Sequence, residues 1–410
     1  MSAQRCRFCQ AALTDTVVDL GMSPLCESYL AAEQLDRMEP FYPLHVRVCR
    51  ACLLVQVGEY VRAEEIFTEY AYFSSFSSAW LKHAEDYVSS VTDRLKLDSK
   101  SLVVELASND GYLLQYFVKR GIPCLGIEPA ANVAKAALEK GVDTQVAFFD
   151  QALGRQLRAQ GKHADLVLGN NVLAQVPDVN AFVAGVPELL KTDGTATFEF
   201  PHLMQLFDGN QFDTIYHEHF SYFSLITAEA IFARHGMTIF DVEELWTHGG
   251  SLRIYARHTS DSSRPVTARL LALREREERA GYREIATYTR FEEQVRETKR
   301  KLVELLISAK REGKRIVGYG APGKGNTLLN YCGIRSDFLD FTVDRNPYKQ
   351  GKFLPGTHIP ILHPARIDEV RPDYIFILPW NFKDEIMSQL AHARQWGARF
   401  IVPIPEATVV

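Results

Sequence analysis

The sequence predicts an α/β protein: a doubly wound parallel sheet, with a cysteine-rich module before it and a second, C-terminal α/β domain after it. Three observations carry this expectation. Strand patterns alternate with helix patterns over roughly 100 residues from Ser101 onward, as in a parallel sheet wrapped by helices. Two Cys-x-x-Cys pairs stand in an N-terminal stretch of short strands and turns with little helical period. A second alternation opens at Lys314-Arg-Ile-Val-Gly-Tyr-Gly320. The expected units are 1–75 for the cysteine-rich module, 76–260 for the first sheet and the segment behind it, 261–312 for a helical connector and 313–410 for the second α/β domain.

The elements follow in order. Ser78–Leu95 reads as a helix, because Leu81, Ala84, Val88, Val91 and Leu95 recur at mostly helical spacing. Ser101–Leu106, Cys124–Glu128, Ala164–Gly169 and Gly194–Phe200 read as strands, with helix patterns such as Asn132–Lys140 and Val179–Leu190 between them. After Pro201 the alternation stops, and an aromatic- and His-rich segment runs to about His258. Residues 266–312 are charged and heptad-like, a spacer with one buried stripe. Later strands are expected at Phe338–Val343, Tyr374–Leu378 and Arg399–Pro403.

Composition narrows the function. The 410 residues are 46% hydrophobic and 24% charged, the ordinary globular range. A net charge of −5 gives no broad basic field, so nucleic acid is not an expected partner. No apolar h-region follows Arg5 and Arg7, and no run of eighteen apolar residues occurs, so neither a signal peptide nor a membrane span is expected. Four of seven cysteines form two close pairs, which fits a reducing cytoplasm better than a disulfide framework.

Cys6-x-x-Cys9 and Cys49-x-x-Cys52 are two knuckles that can offer four thiolates, the usual ligand set of structural zinc. Neither pair opens a helix in a thioredoxin-like unit, which argues against redox work. Four ligands leave no open position, so the metal is expected to be structural.

Glu105-Leu-Ala-Ser-Asn-Asp-Gly111 lies at a strand end and a helix start, where open α/β sheets bind ligands. Glu128 ends the next strand, placed like the acid that holds ribose hydroxyls, and Gly169-Asn170-Asn171 ends the third. No Gly-x-Gly-x-x-Gly occurs in this first unit, which argues against a pyrophosphate to cradle. A cofactor with one ribose, a purine and no phosphate suits an acidic, Asn-rich mouth better.

Together these motifs resemble the sugar C-methyltransferases of deoxysugar biosynthesis, and most nearly those acting at C-3′ in the tetronitrose pathway. The resemblance spans nearly the whole chain: both Cys pairs, Glu105–Gly111, Ile215-Tyr-His-Glu-His-Phe220, His248-Gly-Gly-Ser-Leu-Arg253 and Gly318-Tyr-Gly-Ala-Pro-Gly-Lys-Gly-Asn326. It implies a zinc-binding N-terminal module, a Rossmann-like domain for S-adenosylmethionine (SAM) and a Rossmann-like C-terminal domain that helps hold a thymidine-diphosphate (dTDP)-linked 4-keto sugar. The expected cofactor contacts are Glu105, Ala107, Asn109, Gly111, Glu128, Asn170 and Asn171. Antibiotic biosynthesis is the implied setting, with a monomer or weak homo-oligomer as the working form.

Methylation of carbon needs a nucleophilic carbon, made by removing a proton beside a carbonyl. Tyr216-His-Glu-His219 holds parts for that step: a His that titrates near neutrality, a carboxylate and a phenol for the keto oxygen. The resemblance turns Tyr216, Glu218 and His219 toward the sugar, which a regular strand would not allow, so an irregular loop is expected. His219 is the expected base, with Glu218 orienting it, and Tyr70 the expected enolate donor. Tyr72, Gln175, Tyr222, His248, Arg253 and Lys324 are expected at the substrate. Relatives are expected to carry His where this chain has Gln175, which cannot titrate.

The Gly318–Gly325 turn can bind an anion at a helix N-terminus, with Lys324 adding charge. Three other readings stay open: methylation at another ring carbon such as C-5′, a non-catalytic SAM or nucleotide-sugar binding protein, and a nicotinamide enzyme using this glycine turn.

Overall fold

The computed structural model describes residues 4–67 and 73–410. The N-terminal module begins with strands β1 (Asp15–Ser23), β2 (Tyr42–Val48) and β3 (Val55–Val57), paired antiparallel in that order. The helix Ser78–Leu95 follows, capped by the Ser77 hydroxyl, which accepts the Trp80 N–H. It buries Ala84, Tyr87, Val88 and Val91, and Lys96 ends it in the left-handed region.

Then comes the main sheet, with β4 (Val103–Leu106), β5 (Cys124–Glu128), β6 (Thr144–Val146), β7 (Ala164–Asn170) and β8 (Leu190–Pro201). All five run parallel, in the order β8-β7-β4-β5-β6. Crossover helices Ala131–Glu139, Gln151–Ala159 and Val179–Leu189 cover its faces, so β4 is buried at every residue.

Two residues then leave this sheet altogether. β9 (Ser221–Tyr222) pairs antiparallel with β3, as a fourth strand of the N-terminal module. The chain returns through β10 (Met237–Leu245) and β11 (Ser251–His258), which completes a seven-stranded sheet by pairing antiparallel with β8.

The connector is helical: Ala268–Arg279, Ile285–Thr289 and Phe291–Arg311. The last of these buries Val295, Leu302, Leu306 and Ala309, a stripe at helical spacing. The C-terminal sheet holds β12 (Ile316–Tyr319), β13 (Thr342–Val343), β14 (Ile361–Leu362), β15 (Tyr374–Ile377), β16 (Arg399–Val402) and β17 (Thr408–Val409). Its order is β14-β13-β12-β15-β16-β17, parallel except for β17. No helix among the described residues is long and apolar enough to cross a membrane.

Candidate active site

The two cysteine knuckles have one geometry. In each, the residue after the second cysteine has positive φ, Gln10 at 64° and Leu53 at 63°. In each, the N–H of that residue returns to the carbonyl of the first cysteine, Gln10 to Cys6 at 2.9 Å and Leu53 to Cys49 at 2.8 Å. The four Sγ atoms lie within 4.8 Å of one another. Zinc–sulfur bonds of about 2.3 Å at tetrahedral angles put sulfurs roughly 3.8 Å apart, so the four thiols fit the ion. Gln56 Nε2 points at Cys6 Sγ from 3.3 Å, a donor suited to a thiolate.

A crevice forms where β4 and β5 end. Ala107 and Asn109 both have positive φ, which folds the chain sharply at the end of β4. Glu128 locks this turn: Oε2 accepts the Asn109 N–H and Oε1 the Ala130 N–H, each at 2.8 Å. Burial raises its carboxyl to about 6, so it is anionic at neutral pH with lone pairs left for hydroxyl donors. Asn170, at the end of β7, is buried, and neither polar atom of its side chain has a hydrogen-bond partner. A buried amide without partners on a cavity wall is a place for a polar ligand group, and the ammonium and carboxylate of SAM fit it.

Two expected cofactor contacts stand elsewhere. Glu105 is fully buried and is not on the cavity wall; burial, then the Glu128 charge, hold it well above the usual carboxyl range. Gly111 also lies off the wall: at φ +73° a Cβ would meet Val142 Cγ2 at 2.9 Å, so the turn needs a glycine there. Asn171, at φ 55°, remains on the wall.

One cavity of about 740 Å³ joins this crevice to the His-rich segment. Ala107, Asn109, Glu128, Asn170 and Asn171 are on its wall, with Phe148 and Asp150. Tyr216, Glu218, His219, Gln175 and His248 line it as well, as do Lys324 and Lys349 of the C-terminal domain.

Tyr216 to His219 is a turn, closed by the His219 N–H on the Tyr216 carbonyl at 2.9 Å. The turn brings the Tyr216 and His219 rings to 4.1 Å, centroid to centroid. His219 Nδ1 meets the Thr214 carbonyl at 3.0 Å, and a carbonyl only accepts, so Nδ1 carries the proton and Nε2 is bare. Burial lowers His219 to about 4, which keeps the ring neutral. Glu218 does not take the orienting role expected of it, since Thr214 holds the ring. Its Oε1 lies 3.8 Å from Cys26 Sγ, and burial, then the Glu27 charge, raise it to about 8. His217 points away, edge-on to Tyr42 and Tyr60, with Nε2 3.3 Å from the Pro43 carbonyl.

The remaining expected contacts divide. His248 stands on the wall at φ 55°, Nδ1 unpartnered, its ring edge-on to Trp80 at 5.1 Å. Lys324 Nζ lies 3.1 Å from Asn381 Oδ1 and 4.8 Å above the Trp380 ring. Arg253 is not on the wall: it donates to Glu199 at 2.6 Å and Glu243 at 3.1 Å and covers the Tyr87 ring, a structural position. Tyr222 is buried in β9 behind His219, 6.2 Å between rings, and is not on the wall either. Tyr70 and Tyr72 lie outside the described residues.

Two N–H groups of the C-terminal domain's glycine turn are bonded within the chain itself. Gly320 N–H goes to the Val343 carbonyl and Ala321 N–H to Asp344 Oδ2. A Cβ on Gly323, where the helix Gly323–Cys332 starts, would lie 3.0 Å from Glu27 Oε1. Glu27 therefore stands beside that helix start, and Lys349 pairs with it at 3.5 Å. Sequence reasoning missed Glu27 and Lys349, which approach from distant parts of the chain with no local signal. It also missed Asp150, whose signal was present: it is the N-cap of Gln151–Ala159, its carboxylate accepting the Leu153 N–H.

Residues 6–67 match the family model described as “Putative zinc binding domain”, 80–242 a methyltransferase domain, and 246–405 a C-methyltransferase C-terminal domain. The chain is 37% identical over 408 residues to the C-methyltransferase NovU of Streptomyces niveus, covering 99% of this chain and 96% of that one. Among solved structures, the PH0226 protein of Pyrococcus horikoshii covers 48% of this chain and 99% of its own at 15% identity and a TM-score of 0.38. A SAM-dependent methyltransferase of Clostridium acetobutylicum covers 43% of this chain and 92% of its own at 11% identity and a TM-score of 0.35; both are too distant to bear on function. With its zinc-binding module, its SAM crevice and its likeness to NovU end to end, the chain belongs to the SAM-dependent C-methyltransferase family.

Proposed function

We propose that this C-methyltransferase methylates C-3′ of a dTDP-linked 4-keto deoxysugar, dTDP-3-amino-2,3,6-trideoxy-4-keto-D-glucose fitting the resemblance best, through an enolate. The observation that carries the reading is one cavity whose wall includes both the crevice residues Asn109, Glu128 and Asn170 and the ring of His219, whose Nδ1 is held by Thr214. SAM supplies an electrophilic methyl group on a sulfonium.

His219 takes the C-3′ proton on its bare Nε2, and the electron pair of the C–H bond becomes the enolate. Thr214 fixes the tautomer that makes this possible. Glu218, neutral below about 8, can donate its carboxyl proton as a hydrogen bond to the keto oxygen while charge develops there. Tyr216, against the His219 ring, is the second donor on that side. With SAM held at Asn109, Glu128 and Asn170, its sulfonium would supply the methyl group to that carbon and leave as the thioether, and the proton leaves His219 through the cavity. Gln175 bounds the site without titrating.

The test is SAM consumption against a panel of dTDP-4-keto sugars with and without a 3-amino group, with the product carbon assigned by NMR. Methylation at C-5′ would move the reading to the neighbouring ring carbon. SAM binding without turnover on every member would reduce it to a binding protein.

A further inference from the structure

Arg7 stands between the two cysteines of the first knuckle, yet its side chain leaves the knuckle and reaches the active-site cavity's supporting wall. Nη1 donates to the Pro177 carbonyl at 2.9 Å, Nη2 donates to the Val57 carbonyl, and the guanidinium lies over the Phe220 ring, 5.3 Å from its centroid. Its own backbone is held from both sides. The Arg7 N–H donates to Gln56 Oε1 at 2.9 Å, while Gln56 Nε2 faces Cys6 Sγ. Asn180 Nδ2 donates to the Arg7 and Phe8 carbonyls at 3.1 and 2.9 Å.

Each target borders the chemistry. Pro177 ends the Gln175–Pro177 stretch, which lines the cavity. Phe220 follows His219, and its N–H and C=O are tied to the Ala174 carbonyl at 2.8 Å and the Val57 N–H at 3.0 Å. Val57 ends β3, the strand that β9 joins. A planar fork with five donors can hold two carbonyls of different segments and stack on a ring at once; an ammonium cannot.

We propose that Arg7 is a positioning residue, which fixes the Gln175–Pro177 wall and Phe220 to the zinc knuckle and so sets where His219 stands in the cavity. The zinc module is then part of the catalytic scaffold as well as a folding aid. The kinetic consequence rests on His219 being the base; the geometric one does not.

The experiment uses full-length Arg7→Met and Arg7→Lys, with zinc content by elemental analysis, SAM affinity by calorimetry, steady-state kinetics, and ¹⁵N imidazole spectra in which His219→Asn assigns the His219 signals. The expected result is zinc retained at the parent level and His219 ring signals shifted, while those of the remote His392 stay put. SAM affinity stays within about twofold and kcat falls by about 10²-fold, the cost of a displacement of about 1 Å. If Arg7→Met does not fold, Arg7→Lys, which keeps the charge and loses the fork, decides. Unmoved His219 signals and parental kcat in a zinc-loaded variant overturn the proposal, as does a kcat loss that only tracks lost zinc. Should His219→Asn itself leave turnover intact, the base assignment falls, and the His219 signals in the Arg7 variants still decide the positioning.

Discussion

His219 donates its Nδ1–H to the carbonyl of Thr214, five residues earlier, and that one bond decides what the ring can do. The proton is committed to the backbone, so the other nitrogen is left as an acceptor on a ring that lines the cavity. A histidine oriented by a carboxylate would gain basicity; one oriented by a carbonyl in a buried site stays neutral and ready.

Replacing His219 with Asn removes the acceptor nitrogen. If proton removal precedes methyl transfer, the parent exchanges the C-3′ hydrogen with heavy water when S-adenosylhomocysteine replaces SAM. His219→Asn is expected to abolish that exchange and to lower turnover by roughly 10²–10⁴-fold, the usual worth of a positioned base. SAM affinity should hardly change, because the crevice residues are on other strand ends. Exchange at the parent rate would assign the proton to another group.

Glu128 is expected to hold the ribose hydroxyls of SAM. Glu128→Ala should weaken SAM binding by roughly 1.5–3 kcal/mol, the range for a hydrogen bond to a charged group. The Asn109 and Ala130 N–H groups lose their acceptor as well, so the loop between them loosens. Unchanged affinity in calorimetry would move the adenosine end of the cofactor elsewhere.

The contrast between Glu128 and Arg253 shows what a sequence exposes. Strand periodicity fixes where β4, β5 and β7 end, so Asn109, Glu128 and Asn170 were legible as one crevice. The cysteines were legible because a knuckle is a local geometry with a fixed spacing. The helix Ser78–Leu95 was legible through its apolar stripe, while its Ser77 cap came only with the structure. By contrast β9 has two residues and no period, so nothing announced that it would leave its neighbours for the N-terminal sheet. Arg253 alternates along β11, and the side it faces depends on Glu199, a partner fifty-four positions away in sequence. Glu27 and Lys349 meet only once the N-terminal module and the C-terminal domain have packed.

Arg253 gives the third prediction. Its guanidinium pairs with buried Glu199, which also takes the Thr247 hydroxyl and faces His83 Nε2. Arg253→Ala leaves that carboxylate buried without its strongest partner, at an expected cost of about 3–5 kcal/mol in denaturant unfolding. Among molecules that remain folded, the KM for the acceptor should stay near the parent value. A stable variant with a raised KM would return Arg253 to the substrate.

The last prediction concerns pH, because Glu218 and His219 are shifted toward their neutral forms. Burial, then the charge of Glu27, raises Glu218 to about 8, with the Cys26 thiol and Lys349 working the other way. Burial lowers His219 to about 4, against the Thr214 carbonyl, which raises it. The working state needs His219 unprotonated and Glu218 protonated. The first condition holds above about 4 and the second below about 8, so kcat/KM should be flat between them. Above the upper limit it should fall about tenfold per pH unit as the neutral donor ionises. Glu218→Gln keeps a neutral donor that cannot titrate, so it should retain most activity and lose the alkaline limb. Glu218→Ala removes the donor and should lower kcat by about 10²–10³-fold, the range for one oxyanion donor. If Glu218→Gln is as slow as Glu218→Ala, the carboxylate is the active form and the proton would go to Glu218 rather than His219. A rate that rises with pH through about 8 would say the same from the parent protein alone.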